Sequence, residues 1–493
     1  MYLALLASML NAEAWAAPGS AQPVLWPQHL FIALSIIFAL GFMRSLWRSW
    51  RARLTLRRQL LAPAPALAEL QQLAAAAGRA QVRFVILIPA KSESRVIANT
   101  MQHLASLRYD PSLFSVYVIT DSRECPAAGE PLTFDVARQC SQRLNQLLGR
   151  DLFHVLSIPD DYVAQRQRGV APALASSKGR ALNYALEALQ AGSELPDLIG
   201  VLDADGRLHR DVLAEAAWRY LVKGSRILQG PVFQISNLDR VDLFGVMAGI
   251  ELSVHHLSSM AAQLQSARHY PRFLAGTNYF ICPRLLMEVG GWRSDALVED
   301  AELGLRLFLR CRLRAEWLPS PELEQTAPSL AVYLRQRHRW ALGHLQLLPQ
   351  ISREPVSVWM KLRLGWQVMR SMLTGPLAVL LPLLGWMLVL FHPPLFLASW
   401  PAAFSLVLLL LSLYSWDDFG RGLRLLNLQS PRPLPAWRLL TYSLALMLLM
   451  PCLMVIQLMP RLKALGQFVF SRRARLNQVV WYKTERSFEE VSL

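Results

Sequence analysis

Asp203 and Asp205 stand two residues apart in V-L-D-A-D-G, at the end of an apolar run. On a strand leaving a sheet, residues i and i+2 project to one side, so both carboxylates reach the same space. Hard oxygen donors of this kind suit Mg2+ or Mn2+, and Mg2+ commonly takes one or two carboxylates together with substrate phosphates. Two adjacent acids, Glu299 and Asp300, open the segment E-D-A-E-L-G-L-R-L-F-L-R. They are either N-terminal charge favoured by a helix dipole or a general base that takes a proton from an attacking hydroxyl. Upstream, F-L-A-G-T-N sets Gly276 and Thr277 in a turn small enough for an acceptor to approach the backbone. Asp121 closes V-Y-V-I-T-D, where its carboxylate can accept hydrogen bonds from a nucleotide or simply end a strand at a turn.

Gln336, Arg339 and Trp340 lie in L-R-Q-R-H-R-W at i, i+3 and i+4, one face of a helix. That face fits a phosphate- or sugar-bearing ligand, and the same segment fits a basic helix lying on lipid. Arg335, Arg337, His338 and His344 carry no role beyond the second reading. S-S-K-G-R-A-L-N begins a helix at Lys178, but Lys precedes Gly and no glycine stands five residues before, so it is not a P-loop. This disfavours a GTPase or ABC-type ATPase.

These residues need a scaffold that brings strand ends together. V-R-F-V-I-L-I-P-A is a continuous apolar run, read as a buried parallel strand. Val96–Leu107 fits an amphipathic helix, L-F-S-V-Y-V-I-T-D a second strand, and L-I-G-V-L-D-A-D-G another. Strands alternating with helices indicate a doubly wound α/β sheet whose ligands gather at the carboxyl ends of the strands. The acidic clusters fall at those ends.

The chain has 493 residues, formal net charge +16 and 53% hydrophobic residues. Basic charge on so apolar a chain points to a membrane protein with cytoplasmic arginine and away from a nucleic-acid binder. Five scattered cysteines without a C-x-x-C pair argue against a disulfide framework or structural zinc. Four segments reach the roughly 20 apolar residues of a spanning helix: about Val24–Leu46, Met372–Phe391, Leu395–Tyr414 and Leu439–Met459. Arg44, Arg48, Arg51, Arg53, Arg57 and Arg58 place the chain after the first of these in the cytoplasm. The expected organisation is a membrane segment with basic flank over 1–61, a linker over 62–81 and a catalytic domain over 82–348. An interfacial helix over 349–371, a transmembrane region over 372–460 and a basic cytoplasmic tail over 461–493 complete it.

In order, Asp121, the D-A-D at 203–205, the E-D at 299–300 and the Q-x-x-R-W at 336–340 resemble the membrane-embedded family 2 glycosyltransferases, the group that includes cellulose and hyaluronan synthases. The likeness covers about Val82–Leu348, and W-Y-K-T-E-R (481–486) is similar to a segment near the end of some bacterial relatives. The resemblance implies a GT-A type nucleotide-sugar-binding domain inserted between transmembrane helices of the bacterial inner membrane. It implies a nucleoside-diphosphate sugar donor, usually UDP-linked, with Asp121, Lys178, Asp203 and Glu93 on the nucleotide side and Asp205, with Asp203, on a bridging Mg2+ or Mn2+. Asp300, with Glu299, would be the base of an inverting reaction, and Gln336, Arg339, Trp340, Gly276 and Thr277 would meet the diphosphate and the acceptor. P-A-K-S-E-S and Thr120-Asp121 depart from the family pattern, which weakens any reading of the donor.

The expected function is extension of a polysaccharide, with translocation and export partners. The alternative is addition of one sugar to a lipid or lipid-linked acceptor. A non-catalytic membrane receptor or assembly subunit is the reading from another class, and intact Asp203, Asp205 and Asp300 argue against it.

Overall fold

The computed structural model describes residues 58–60, 62–78, 81–126, 129–163, 178–192, 195–257, 270–370 and 433–470, with single positions in 40–54, 372–373 and 420–427. Strand β1 (Phe84–Pro89) is buried along nearly its whole length because its two faces serve different cores. Phe84, Ile86 and Ile88 pack with Met101 and Leu104 of one layer, while Val85 and Leu87 pack with Leu182 and Leu186 of the other. A parallel strand covered on both sides has to be apolar throughout, and F-V-I-L-I is.

Among the described residues the main sheet runs β3 (Phe153–Ile158), β2 (Phe114–Asp121), β1, β4 (Leu198–Val201), β8 (Tyr279–Ile281), β6 (Ile227–Gln229), β9 (Glu316–Trp317). The first four are parallel, as expected. Strand β8 is antiparallel to both neighbours, so the sheet is mixed. Apolar periodicity carries no strand direction, and Tyr279–Ile281 offers only three residues from which to read a strand at all. A second sheet, β5 (Arg207–Leu208), β10 (Glu322–Glu324) and β7 (Val232–Gln234), stands over the carboxyl edge.

The described helices are α1 (Leu67–Ala76), α2 (Ile97–Leu104), α3 (Thr133–Leu148), α4 (Lys178–Ala191), α5 (Val212–Lys223), α6 (Leu243–His255), α7 (Pro283–Glu288), α8 (Glu299–Cys311), α9 (Leu330–Arg353), α10 (helical at 358–370 and at 372–373 among the described residues) and α11 (Ala436–Phe470). Helix α1 occupies the expected linker, yet Leu70 and Ala74 are buried, so the segment is docked on the domain. Helix α9 starts where Ser329 accepts a hydrogen bond from Val332 N, an ordinary N-cap. Leu303 and Leu307 of α8 enter the sheet core, and Ala301, Leu305 and Phe308 enter a second cluster beneath α9 and α10.

Among the described residues no helix is long and apolar enough to cross a membrane. Most of Val24–Leu46, and nearly all of Met372–Phe391 and Leu395–Tyr414, lie outside the described residues, as do residues 1–17 and W-Y-K-T-E-R. The expected span Leu439–Met459 instead forms part of α11, which runs on through Arg461 and Lys463 to Phe470 and packs along α9. Periodicity found the apolar centre of this helix but not the basic turns that continue it.

Candidate active site

Two acidic groups face each other across one lysine. The first is Asp203, Asp205 and Glu324, which bring one carboxylate oxygen each within 4.8 Å of one another. Strand β4 ends at Val201, and Gly206 N bonds Asp203 O at 2.9 Å, turning the chain so that both aspartates face the second sheet. A Cβ on Gly206 would stand 2.1 Å from Glu322 Oε1, so the turn needs glycine. Asp205 Oδ2 accepts from Gln325 N at 2.9 Å, tying the D-A-D loop to the end of β10. Thr277 donates its hydroxyl to Glu322 at 2.7 Å and accepts from Asp203 N at 3.0 Å. Burial, followed by the charges of Glu324 and Asp203, pushes the Glu322 carboxyl well above its ordinary range. Three crowded hard oxygen donors, with a fourth carboxyl driven toward its neutral form, are a donor set that fits Mg2+ or Mn2+.

The second group is Glu299 and Asp300, in the first turn of α8. Burial, then the neighbouring Asp300 charge, pushes Glu299 up to about 7 against the opposing charges of Lys178 and Arg339. Burial likewise raises Asp300, with the Ala301 backbone N–H, Lys178, His344 and Arg339 acting the other way. Gly276 sits against this carboxylate at φ +84°, and a Cβ there would be 3.0 Å from Asp300 Oδ2.

Lys178 joins the groups. Its ammonium pairs with Asp203 and donates to Gly276 O at 2.8 Å. Burial opposes its charge, but Asp203 and Glu299, and then Asp300, outweigh burial and raise its pKa. Arg339 Nη1 donates to Leu297 O at 3.2 Å, and its charge is felt by both Glu299 and Asp300. Lys178, Asp203, Gly276, Glu299, Asp300 and Arg339 therefore form one site, with Asp205 and Thr277 on the side of the Asp203–Asp205–Glu324 cluster.

The remaining expected residues take other places. Gln336 is buried in α9. Trp340 is half-buried, packed on the cluster of Val298, Ala301 and Leu305, with the Arg337 guanidinium 5.1 Å from its ring centroid. Its indole is thus part of the support beneath α8 as well as a surface beside it. Arg337 also pairs with Glu251 at 3.0 Å. Asp121 shares the carboxyl edge with Asp203, one strand away across β1. Its carboxylate is held by Arg123 at 2.8 Å, Arg180 at 3.2 Å and Lys91 at 3.7 Å. Burial works to raise its pKa, and the Arg123 hydrogen bonds and the Lys91 charge overcome it and hold the pKa low. Glu93 is buried after β1, where its backbone N–H meets Thr133 Oγ1 at 2.7 Å.

Glu322, Glu324, Arg123 and Arg180 had no place in the sequence reading. P-E-L-E-Q-T repeats the i, i+2 spacing of D-A-D, which is the one signal that could have marked the glutamates; nothing in the sequence brings residue 324 beside residue 205.

Residues 198–417 match the family described as Glycosyl transferase family group 2. A beta-monoglucosyldiacylglycerol synthase of Synechocystis sp. is 26% identical over 262 residues, covering 53% of this chain and 47% of the relative. A probable glucomannan 4-beta-mannosyltransferase of Arabidopsis thaliana is 25% identical, covering 56% and 46%. The chain spans about half the length of the curated relatives it matches. Among solved structures, a mannosyltransferase of Pyrobaculum calidifontis in complex with GDP-Man and Mn2+ is 16% identical at a TM-score of 0.46, covering 90% of this chain and 100% of that one. The match begins at β4 and takes in D-A-D, E-D and Q-x-x-R-W, so these three motifs lie in the segment that is similar to glycosyltransferase family group 2.

Proposed function

We propose that this protein transfers a sugar, with inversion, from a nucleoside-diphosphate sugar to a hydroxyl of a lipid acceptor at a membrane. The observation that carries the reading is the Glu299–Asp300 pair at the start of α8, Glu299 buried and Asp300 partly so, set across Lys178 from the Asp203–Asp205–Glu324 cluster. Asp300 takes the proton of the acceptor hydroxyl as that oxygen bonds to the anomeric carbon. The bond from that carbon to the diphosphate breaks, and its electron pair leaves with the nucleotide. Lys178 and Arg339 would offset the charge that collects on the diphosphate. Asp203, Asp205 and Glu324 would hold Mg2+ or Mn2+, which supplies charge neutralisation to the diphosphate when bound. Glu299, at about 7, keeps a second proton site next to the base near neutral pH. A UDP-linked donor remains the expectation from the resemblance.

The diacylglycerol named in the relatives supports the lipid acceptor. Polymer extension is the second reading, favoured by Q-x-x-R-W on α9 with Arg339 beside the base. The inner-membrane setting of the whole chain is part of the proposal.

The test is Asp300→Asn in full-length protein reconstituted in lipid. Sugar transfer should fall by about 10²–10⁴ with nucleotide affinity nearly unchanged; turnover close to that of the unaltered protein would remove Asp300 as the base. Sizing the product separates the two acceptors: one added sugar at every donor ratio excludes polymer extension, and long chains exclude single addition.

A further inference from the structure

In the proposed reaction Asp300 ends each transfer with a proton and must be bare again before the next. Burial raises its pKa, so the cations beside it decide how readily the bare form is held. Lys178 acts on it from α4, and Arg339 and His344 act from α9. Glu299 is its acidic neighbour on α8, and Asp203 stands beyond Lys178. A guanidinium keeps its charge throughout the working range, and the acids around Lys178 hold that ammonium charged as well. The third cation is an imidazole, the side-chain type that gains and loses charge between about pH 5 and 8.

The half-buried His344 ring is fixed on several sides. Gly343, just before it, lies so close to the turn ahead of α8 that a Cβ would stand 2.7 Å from Val298 and 3.2 Å from Leu297. His344 Nδ1 lies 2.8 Å from Trp340 O, one helical turn back. A carbonyl can only accept, so Nδ1 carries hydrogen and the ring gains or loses its second proton at Nε2. Phe273 meets the ring edge-on, with centroids 6.1 Å apart and planes at 80°. Phe273 also packs with Ala301 and Leu305 of α8. From Phe273 the chain runs three residues to Gly276, where a Cβ would stand 3.0 Å from Asp300 Oδ2. The two segments that flank the imidazole, 297–298 and 273–276, are thus the ones that meet at Asp300. Its charge acts on that carboxyl more strongly than the charge of Arg339 does.

We infer that His344 is a positioning residue for the base: as imidazolium it holds Asp300 ionised, and as neutral imidazole it releases that hold. The inference rests on the reading of Asp300 as the base. In the acid range where a carboxyl protonates, an imidazole is charged, so removing it lets Asp300 take up its proton at higher pH. The test titrates the full chain in phosphatidylcholine vesicles by infrared difference spectroscopy, with chelator present and aspartate carboxyls isotope-labelled. The protonated-carboxyl band that carries the label and is lost in Asp300→Asn belongs to Asp300. His344→Asn sets an amide where Nδ1 was, so the bond to Trp340 O can be kept while the titrating nitrogen goes. Its Asp300 midpoint should lie about half a pH unit or more above that of the unaltered protein. His344→Lys, which keeps a cation, should stay close to the unaltered midpoint. Equal midpoints in His344→Asn and the unaltered protein would overturn the inference. So would His344→Lys matching His344→Asn, or Asp300→Asn removing no labelled band. The titration needs no donor, so the two readings fail separately: normal turnover by Asp300→Asn would remove the base and leave the midpoint shift intact.

Discussion

A carboxylate is a useful base only if its surroundings hold it in place, and at Asp300 much of that work falls to a residue with no side chain. Gly276 adopts φ +84° with its Cα against Asp300 Oδ2, while its carbonyl accepts from Lys178. Gly276→Ala would meet both a left-handed backbone and a contact of 3.0 Å to the carboxylate oxygen. The backbone conformation alone costs about 1–2 kcal/mol, to be read as a lower midpoint in denaturant. Because the added methyl pushes on the base, kcat should fall while nucleotide affinity holds; equal kcat in the two proteins would show that Asp300 moves aside freely. Glycine was legible here as a turn. Its contact with a side chain 24 positions later was not, since only the fold brings β8 and α8 together.

At the scale of elements, α8 and α9 are fitted closely enough to act as one piece. A Cβ on Gly343 of α9 would lie 2.7 Å from Val298, and Arg339 reaches over the same contact to Leu297 O. Arg339→Lys keeps the charge but loses the planar fork, and it should lower transfer at least about tenfold. Trp340→Ala removes an indole that packs under α8. Being half-buried, it should cost less than the about 3–5 kcal/mol of a fully buried Trp→Ala change, and it should weaken donor turnover and acceptor use together. Loss of acceptor use alone, at unchanged stability, would mean that the indole acts as a sugar platform and not as a support. Helical spacing made the shared face of Gln336, Arg339 and Trp340 readable in advance. What each side chain touches depends on a neighbouring helix, so Trp340 is partly a packing residue and Arg337 has a partner in Glu251 on α6.

Across the whole molecule, the candidate metal cluster closes the gap between two sheets: Asp203 and Asp205 come after β4 of the large one, and Glu324 ends β10 of the small one. The strands β1, β2 and β4 were legible because burial on both faces writes itself as unbroken apolar sequence. The small sheet was not, because strands of two or three residues leave no period to read, and its glutamates resemble ordinary surface charge. Glu324→Gln keeps the shape and removes one anionic ligand. It should weaken Mn2+ binding and lower transfer, with part of the activity restored at high Mn2+, as titration calorimetry and a metal series would show. Metal affinity equal to that of the unaltered protein would take Glu324 out of the ligand set.

Lys178, placed between Asp203 and the Glu299–Asp300 pair, makes a proton and a cation competitors. A divalent ion arriving at Asp203 adds positive charge beside carboxyls that burial has pushed upward, and so lowers their proton affinity. With Glu299 at about 7, that ion must expel part of a proton near neutral pH. By reciprocity it must bind more tightly as pH rises through the same range. Calorimetric Mn2+ titrations in two buffers of different ionisation enthalpy should show net proton release at pH 7, shrinking toward zero well above it. A donor carried in with its metal would then meet Glu299 with part of its proton already released, and so more negative charge beside Asp300.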